Sequence, residues 1–438
     1  GLNEFAVRFP SALFGSLTVL LVYFLVKKIS KDKLWPLLSA LILAAMPWHI
    51  HFSRAAFEAN ISLFLITLAS LLYFQKRFVV SIIAFTLAIF TYSAAIIFIP
   101  LWLIYLFFQT KQKKILWVFL PLIIVLILQS NSSRFNGISV FNPQSGVMQR
   151  LEEKYRETRN QPLWLTRALH NKPMEFTLDI AKRYISHFDS DFLFFQGDPN
   201  RPRYRSPGTG QLLWFSLPFF FLGLYFLAKN KHWPILVWLL LAPLSAAITF
   251  ETPSAIRAIL MILPLSVAIA LGISVTIKRF PRLSLLLAII FGVNFLAYLD
   301  AYFIHSPVNQ PNEWQGGYKQ LVGKVNELMP NYDKALITDS RGTAYIYFLF
   351  YNQYDPAKWQ QQSREAITAS DKFGFSSINH LENLYFIGET CPAKVPEDKV
   401  LYVCTEANHP KSGFTQFKET INFTDGQPAF VLFEKNPD

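Results

Sequence analysis

Long apolar blocks separated by short polar gaps make up the chain from Ser11 to His305. A bilayer crossing needs about 20 apolar residues, and flanking interfacial residues extend the shorter blocks to that length. The blocks predict ten transmembrane helices. Their approximate bounds are 11–27, 34–48, 59–75, 78–92, 93–110, 115–129, 211–228, 233–250, 255–277 and 283–304.

The residues after His305 have a different pattern, in which short strand-like and helix-like stretches alternate. Asp425-Gly426 separates two β-rich runs, which predicts a hairpin. The pattern predicts a soluble α/β domain at 305–438. The predicted strands are Lys334–Thr338, Lys399–Cys404, Thr420–Phe423 and Ala429–Glu434, and the predicted helix is Thr343–Tyr351.

Composition supports the division into a membrane part and a soluble part. The chain is 52% apolar and only 16% charged, whereas soluble chains average about 25% charged residues. The fold class expected is therefore a polytopic α-helical membrane protein with a C-terminal extracytoplasmic α/β domain. Residues 1–304 form the transmembrane domain, and 130–210 form a long outer loop within it.

The distribution of positive charge predicts which loops face the cytoplasm. The net charge is +12, and alternate gaps between the apolar blocks hold fourteen Lys or Arg against one acid, Asp32. Lys and Arg concentrate in cytoplasmic loops. The charge is thus a topology signal that implies no nucleic-acid partner, and it places 130–210 and 305–438 outside the cytoplasmic membrane.

Cys391 and Cys404 are the two cysteines of the chain, and both lie in the C-terminal domain. An extracytoplasmic location permits disulfides, so a Cys391–Cys404 bridge is expected, with two free thiols as the alternative.

No phosphate loop, dinucleotide-binding glycine motif, HExxH or GxSxG occurs in the sequence. Polar residues gather at the outer ends of the predicted helices instead, which indicates chemistry at the outer membrane surface. Four clusters carry these residues: Asn3–Ser11, Pro47–Asn60, Gly197–Gly208 and Glu251–Arg257.

Arginine binds phosphate oxygens bidentately, so the arginines of these clusters are candidates for holding a phosphate. His51, Arg54 and Glu58 have the spacing of one helix face. The phosphate-binding candidates are Arg8, Arg54, Arg203 and Arg257, and the cavity or acceptor candidates are His51, Glu58, Tyr92, Asp198 and Glu251.

Each cluster also has a structural interpretation. The arginines of the helix ends could extend to lipid headgroups, and the basic run 201–205 could be a solvated turn. Trp48, Trp214 and Tyr298 fit an aromatic belt. His49 and His51 have no third ligand nearby, so no metal site is expected, and a divalent metal has no ligand set to support it.

Four segments, taken in order, resemble bacterial family-39-type glycosyltransferases, which are relatives of the protein mannosyltransferases and the family-83 aminoarabinose transferases of the GT-C fold. The segments are RFPSALFGSLTVLLVYFL, PWHIHFSRAAFEAN, FLFFQGDPNRPRYRSPGTGQLL and ITFETPSAIRAI.

The resemblance implies inverting transfer of a sugar from a polyprenyl-phosphate donor to a protein, lipid or glycan acceptor on the outer membrane face. Arg8 matches the family's R-[LF]-P-S arginine near the donor phosphate. The family's acidic residue of the first outer loop would precede Gly1, so we expect this chain to be truncated and to lack it.

Two other classes remain open at this point. A lipid-linked-sugar transporter or flippase would share the interfacial arginines, but it would be expected to place more polar groups at mid-membrane. A non-catalytic membrane assembly subunit is the third possibility. The sequence does not indicate the sugar, the acceptor or the polyprenol.

Overall fold

The computed structural model describes residues 2–129, 137–158, 161–339, 343–370, 376–388, 391, 399–405 and 415–435. The chain divides into two compact units. One unit is Arg8–Phe303, and the other combines Gly1–Val7 with Ile304–Asp438.

The unit Arg8–Phe303 is built from helices. In chain order they are α1 (Glu4–Ile29), α2 (Leu34–Ala44), α3 (Pro47–Arg54), α4 (Glu58–Phe74), α5 (Phe78–Thr91), α6 (Ala94–Thr110), α7 (Phe119–Gln129), α8 (Val147–Glu157), α9 (Leu163–Leu169), α10 (Lys172–Ser186), α11 (Leu217–Lys229), α12 (Trp233–Leu241), α13 (Leu244–Ala247), α14 (Ile262–Arg279) and α15 (Ser284–Asp300). Helix α1 begins in the other unit.

Three helical stretches within the described residues are long and apolar enough to cross a membrane: Glu4–Ile29, Ile259–Arg279 and Pro281–His305. Helices α2 and α3 together pass the same test as a span bent by 55°. The bend falls at Met46, whose backbone is extended in front of Pro47, because proline disfavours the helical conformation in the residue before it.

Each of the ten predicted spans overlaps at least one of the helices α1 to α15, but ten membrane crossings remain a prediction. Among the residues that the structure describes, five further apolar stretches are only 10–17 residues long, including Glu58–Phe74 and Phe78–Thr91. Interruptions explain part of the shortening. The predicted span 233–250 is divided into α12 and α13 near Pro243, since proline lacks a backbone N–H.

Helix α14 is the centre of this unit, and its residues from Ile262 to Ser274 are buried. It packs backbone to backbone against α11. A Cβ atom at Gly223 would collide with the Ala268 carbonyl, and one at Gly272 would collide with the Phe219 carbonyl. Small residues at such contacts let membrane helices approach closely. Helix α15 has the opposite environment, with apolar side chains such as Leu285 and Leu296 exposed along it.

The C-terminal unit contains the sheet that the sequence predicts. Its helices are α16 (Tyr318–Leu328), α17 (Ala344–Tyr351) and α18 (Pro356–Ala366). Its strands are β1 (Lys334–Thr338), β2 (Ile367–Ser370), β3 (Ser376–Ile378), β4 (His380–Leu381), β5 (Leu384–Ile387), β6 (Val400–Thr405), β7 (Thr415–Asn422) and β8 (Pro428–Lys435).

The main sheet has the strand order β4-β5-β1-β6-β8-β7. Strand β1 pairs in parallel with β5 and β6, while β7 and β8 form the predicted antiparallel hairpin. Helices α16 and α17 cover one face with buried residues such as Leu321 and Phe348. Cys391 and Cys404 form a disulfide whose Cα atoms are 5.7 Å apart. The extracytoplasmic position of this unit remains a prediction.

Candidate functional site

A buried loop, residues 251–257, connects the helix pair α12–α13 to the start of α14. We call it the Arg257 loop. Ser254 and Ala255 are almost completely buried within it. Side chains from distant parts of the chain hold the loop through its backbone, among them those of Asp198, His187 and Trp48.

Asp198 joins the Arg257 loop to a second loop, residues 197–208, which we call the basic loop. Its Oδ2 atom accepts a hydrogen bond of 2.8 Å from the Ala255 N–H. Its Oδ1 atom accepts bonds from the N–H groups of Asn200 (2.9 Å) and Arg201 (3.2 Å). Burial raises the pKa of the Asp198 carboxyl, and the three N–H donors and the nearby Arg257 oppose that rise. Both oxygens are thus already engaged in positioning backbone.

His187, at the C-terminal end of α10, holds the other side of the Arg257 loop. Its Nδ1 atom lies 2.8 Å from the Arg183 carbonyl, and the Ser254 N–H donates to its Nε2 atom at 3.1 Å. These partners require a neutral ring with the proton on Nδ1. Burial lowers the pKa of His187 to about 4, so the ring is neutral at physiological pH.

The Arg257 side chain folds back on its own loop. Its Nε donates to Ser254 Oγ at 3.1 Å and its Nη2 to the Glu251 carbonyl at 2.8 Å. The Glu251 carboxylate is 3.7 Å away and also pairs with Arg201 at 2.8 Å. Guanidinium has five N–H donors. The Nη1 group has no protein partner among the described residues and remains able to donate to a ligand.

Two tyrosines complete the surroundings of Arg257. Tyr92 and Tyr204 lie within electrostatic range of its guanidinium, and Glu58 lies within range of Tyr92. The Tyr204 ring packs on Phe52 and Phe57, with ring centroids 5.8 and 5.7 Å apart. Helices α3, α4 and α5 therefore reach the same region as the Arg257 loop.

A second cationic group lies around Tyr302. The Arg54 guanidinium sits over the rings of Tyr302 and Phe303, at 5.1 and 4.5 Å from their centroids. Arg8 also interacts electrostatically with Tyr302. His51 packs edge-on against Tyr302, and its Nε2 is 2.7 Å from the Arg203 carbonyl.

The structure thus brings the predicted site residues together in two groups. Arg257, Glu251, Asp198 and Tyr92 lie around the Arg257 loop. The second group is Arg8, Arg54, His51 and Arg203, around Tyr302. Binding of phosphate or acceptor by any of them remains a prediction.

Two interpretations from the sequence are wrong. His51, Arg54 and Glu58 do not share one helix, because α3 ends at Arg54 and the backbone is extended at Ala55 before α4 begins. Trp48 and Tyr298 do not belong to an aromatic belt, because both rings are buried. The Trp48 Nε1–H donates to the Ala255 carbonyl at 3.1 Å.

His187 and Arg201 are also parts of this site, and neither is among the residues predicted from the sequence. Arg201 lies inside the predicted cluster Gly197–Gly208, where its alternation with Arg203 and Arg205 could have identified it as a candidate. His187 has no such signal, since it reaches Ser254 across 67 residues of sequence. Within the part of the chain that the structure describes, no three His, Cys, Asp or Glu side chains gather as a metal-ligand set.

Comparison with known proteins supports the predicted resemblance over the first part of the chain. Residues 1–132 match the family model described as dolichyl-phosphate-mannose-protein mannosyltransferase. The matched segment covers α1 to α7, including Arg8, Arg54 and Tyr92, and ends before the Arg257 loop. A search of curated proteins finds no match. Over its first 132 residues, the chain is therefore similar to glycosyltransferases that use a lipid-phosphate-linked sugar.

Proposed function

We propose that this protein is a membrane glycosyltransferase of the GT-C type, which transfers a sugar from a polyprenyl-phosphate donor to a protein, lipid or glycan acceptor. The proposed location is the outer face of the cytoplasmic membrane. The observation that carries the proposal is Arg257, a largely buried arginine with a free Nη1 group, in a chain whose first 132 residues match a mannosyltransferase family.

The chemistry explains why a fixed arginine suits this reaction. An acceptor hydroxyl oxygen attacks the anomeric carbon as the bond from that carbon to the phosphate oxygen breaks, and the phosphate leaves with the electron pair. Negative charge thus grows on the phosphate in the transition state. Hydrogen-bond donors placed there before the reaction stabilise the transition state more than the ground state. The acceptor proton passes to a carboxylate acting as general base.

We assign the donor phosphate to Arg257, with the basic loop beside it. Arg201 neutralises Glu251 through a 2.8 Å ion pair, which limits the repulsion between that carboxylate and an incoming phosphate. Glu58 and Tyr92, on the neighbouring helices, are assigned to the acceptor side. Arg8 and Arg54, around Tyr302, are assigned to the lipid-facing side of the donor.

Donor binding tests the proposal directly. Full-chain protein in detergent micelles is titrated with fluorescent polyprenyl phosphate. Arg257→Ala removes a charge-assisted hydrogen bond, which contributes about 1.5–3 kcal/mol, so the Kd should rise about ten- to a hundred-fold. Arg257→Lys should recover part of the loss, because an ammonium cannot reproduce the planar fork.

The matched control is Arg282→Ala, which removes an exposed arginine from the turn before α15. It should leave the Kd unchanged. Equal affinities for Arg257→Ala and the unmodified protein would remove Arg257 from the donor site. Sugar transfer is measured in membranes with labelled polyprenyl-phosphate sugars. A protein that binds the donor but transfers sugar to no acceptor class would favour a transporter or flippase over an enzyme.

A further inference from the structure

Helix α10 has three of its five charged residues, Glu175, Asp179 and Arg183, turned toward the protein. Glu175 is only 5% exposed and accepts an ion pair of 2.6 Å from Lys154 on α8. Asp179 pairs with Arg150 of α8 and with Arg183 of its own helix. Arg183 in turn donates to the Phe250 carbonyl at 2.6 Å. Ion pairs and hydrogen bonds therefore fix the inner face of this helix.

The opposite face of α10 is apolar and exposed. Met174 is 41%, Leu178 53% and Ile185 65% exposed, and Ala181 between them is exposed too. Their spacing of four, three and four residues places all four side chains on one stripe. A helix that faces water has the reverse arrangement, with its apolar stripe inward and its charges outward.

The preceding helix α9 also carries exposed apolar side chains. Trp164 is 72% exposed, and Leu163 and Leu169 on either side are exposed as well. Tryptophan is enriched where membrane hydrocarbon meets the headgroups. The cations Arg167 and Lys172 are exposed in the same stretch.

Position in the fold indicates what covers the stripe. The Tyr184 hydroxyl of α10 donates to the Leu240 carbonyl of the apolar helix α12 at 2.8 Å, and the Leu240 side chain is itself exposed. The helix that carries the apolar stripe is therefore hydrogen-bonded to the exposed side of the apolar helix α12. Lys172 and Lys182 are exposed on α10 beside the stripe, where they can meet lipid phosphates.

We propose that α9 and α10 lie flat in the headgroup region of a phospholipid bilayer, with Trp164, Leu178 and Ile185 in the acyl boundary. Amphipathic helices of this kind bind membranes through buried apolar area and through attraction of their cations to anionic lipid. The inner face of the same helix holds Phe250 through Arg183 and Ser254 through His187. Contact with lipid thus helps to hold the Arg257 loop in place.

Depth-sensitive quenching in nanodiscs tests this position. The full chain is placed, one copy per disc, in a mixture of phosphatidylglycerol and phosphatidylethanolamine. An environment-sensitive fluorophore is attached at Leu178→Cys or Ile185→Cys, with Lys182→Cys as the matched control on the same helix. All three side chains are exposed, so labelling leaves the packing intact, and Cys391 and Cys404 are paired in a disulfide.

The label at Leu178 or Ile185 should be quenched several-fold more by doxyl-labelled lipid than by aqueous iodide, and the label at Lys182 should show the smaller ratio. Stronger quenching by iodide than by doxyl lipid at Leu178 and Ile185 would overturn the proposal. Protection from both quenchers would overturn it as well, in favour of coverage by protein.

Discussion

The bridge from Asp198 to Ala255 gives the sharpest prediction about the site. In Asp198→Asn, one oxygen is replaced by an NH2 group of nearly the same size. If the remaining oxygen keeps the Asn200 and Arg201 N–H groups, the new NH2 group faces the Ala255 N–H. Two donors then oppose each other, and this hydrogen bond between the two loops is lost. The bond from Asn200 to the Pro253 carbonyl and the Arg201–Glu251 ion pair still join the loops.

The size of the effect follows from the type of bond. A hydrogen bond to a charged group contributes about 1.5–3 kcal/mol, and the neutral amide recovers part of that because the buried charge is removed as well. A net loss of about 2 kcal/mol corresponds to roughly thirty-fold in an equilibrium constant. If donor binds only while Ala255 is held in the arrangement that Asp198 fixes, the Kd for polyprenyl phosphate should rise by up to that factor.

The assay is the same fluorescent donor titration, together with a thermal unfolding scan to show that the variant is folded. Asp189→Asn is the matched control, because the hydrogen bonds that the Asp189 side chain accepts come from its sequence neighbours, the Asp191 N–H and the Ser190 hydroxyl. It should bind donor normally. A folded Asp198→Asn protein with unchanged donor affinity would refute the idea that the bridge arranges the site.

Three other predictions concern pH, topology and the disulfide. The pKa of His187 is 6.5 in the unfolded chain and about 4 in the folded protein, so the unfolded chain takes up a proton at a higher pH than the folded protein does. About 3 kcal/mol of folding stability should therefore be lost as pH falls from 7 to 4. The stability of His187→Gln, measured by thermal unfolding, should lack this part of the pH dependence. An equal pH dependence in both proteins would contradict the prediction. In intact cells, an impermeant maleimide should label Gln144→Cys and spare Lys113→Cys, and the opposite result would reverse the topology. Mass spectrometry without reduction should find the Cys391 and Cys404 peptides linked, since closing this loop stabilises the fold by about 3 kcal/mol in the chain-entropy model; free thiols would reject the bridge.

The sequence was informative where the structure depends on local pattern. Apolar runs located the helices, and the short strand-like stretch KALIT located β1 with its observed bounds, Lys334–Thr338. Interruptions were harder to predict. The break at Ala55 between α3 and α4 separates His51 from Glu58, although their spacing suits one helix. A helix end set by tertiary contacts leaves no periodic signal.

The site could be predicted where a residue type itself indicates a chemical role, as arginine indicates phosphate binding. Arginines at helix ends pointed to Arg257 and Arg54. Asp198 was a candidate as well, but its role in holding the Arg257 loop could not be predicted. Asp198, His187 and Trp48 all act on backbone groups of that loop from distant segments. Backbone donors and acceptors are present at nearly every position, so the sequence carries no mark of which ones are used.

The glycine contact between α11 and α14 has a mechanical consequence for ligand exchange. Gly223 and Gly272 each press on a carbonyl of the other helix, so sliding one helix along the other by even one residue, about 1.5 Å, would bring a side chain against backbone. Helices α11 and α14 therefore form a rigid support next to the Arg257 loop. The basic loop and α10 meet the Arg257 loop through polar contacts instead, which can break and re-form in place. These contacts are the bonds at Asp198 and His187, the bond from Asn200 to the Pro253 carbonyl and the Arg201–Glu251 ion pair. Entry and exit of a bulky lipid should thus proceed by release of the basic loop and α10, and the lifetime of these polar contacts should set the rate of exchange.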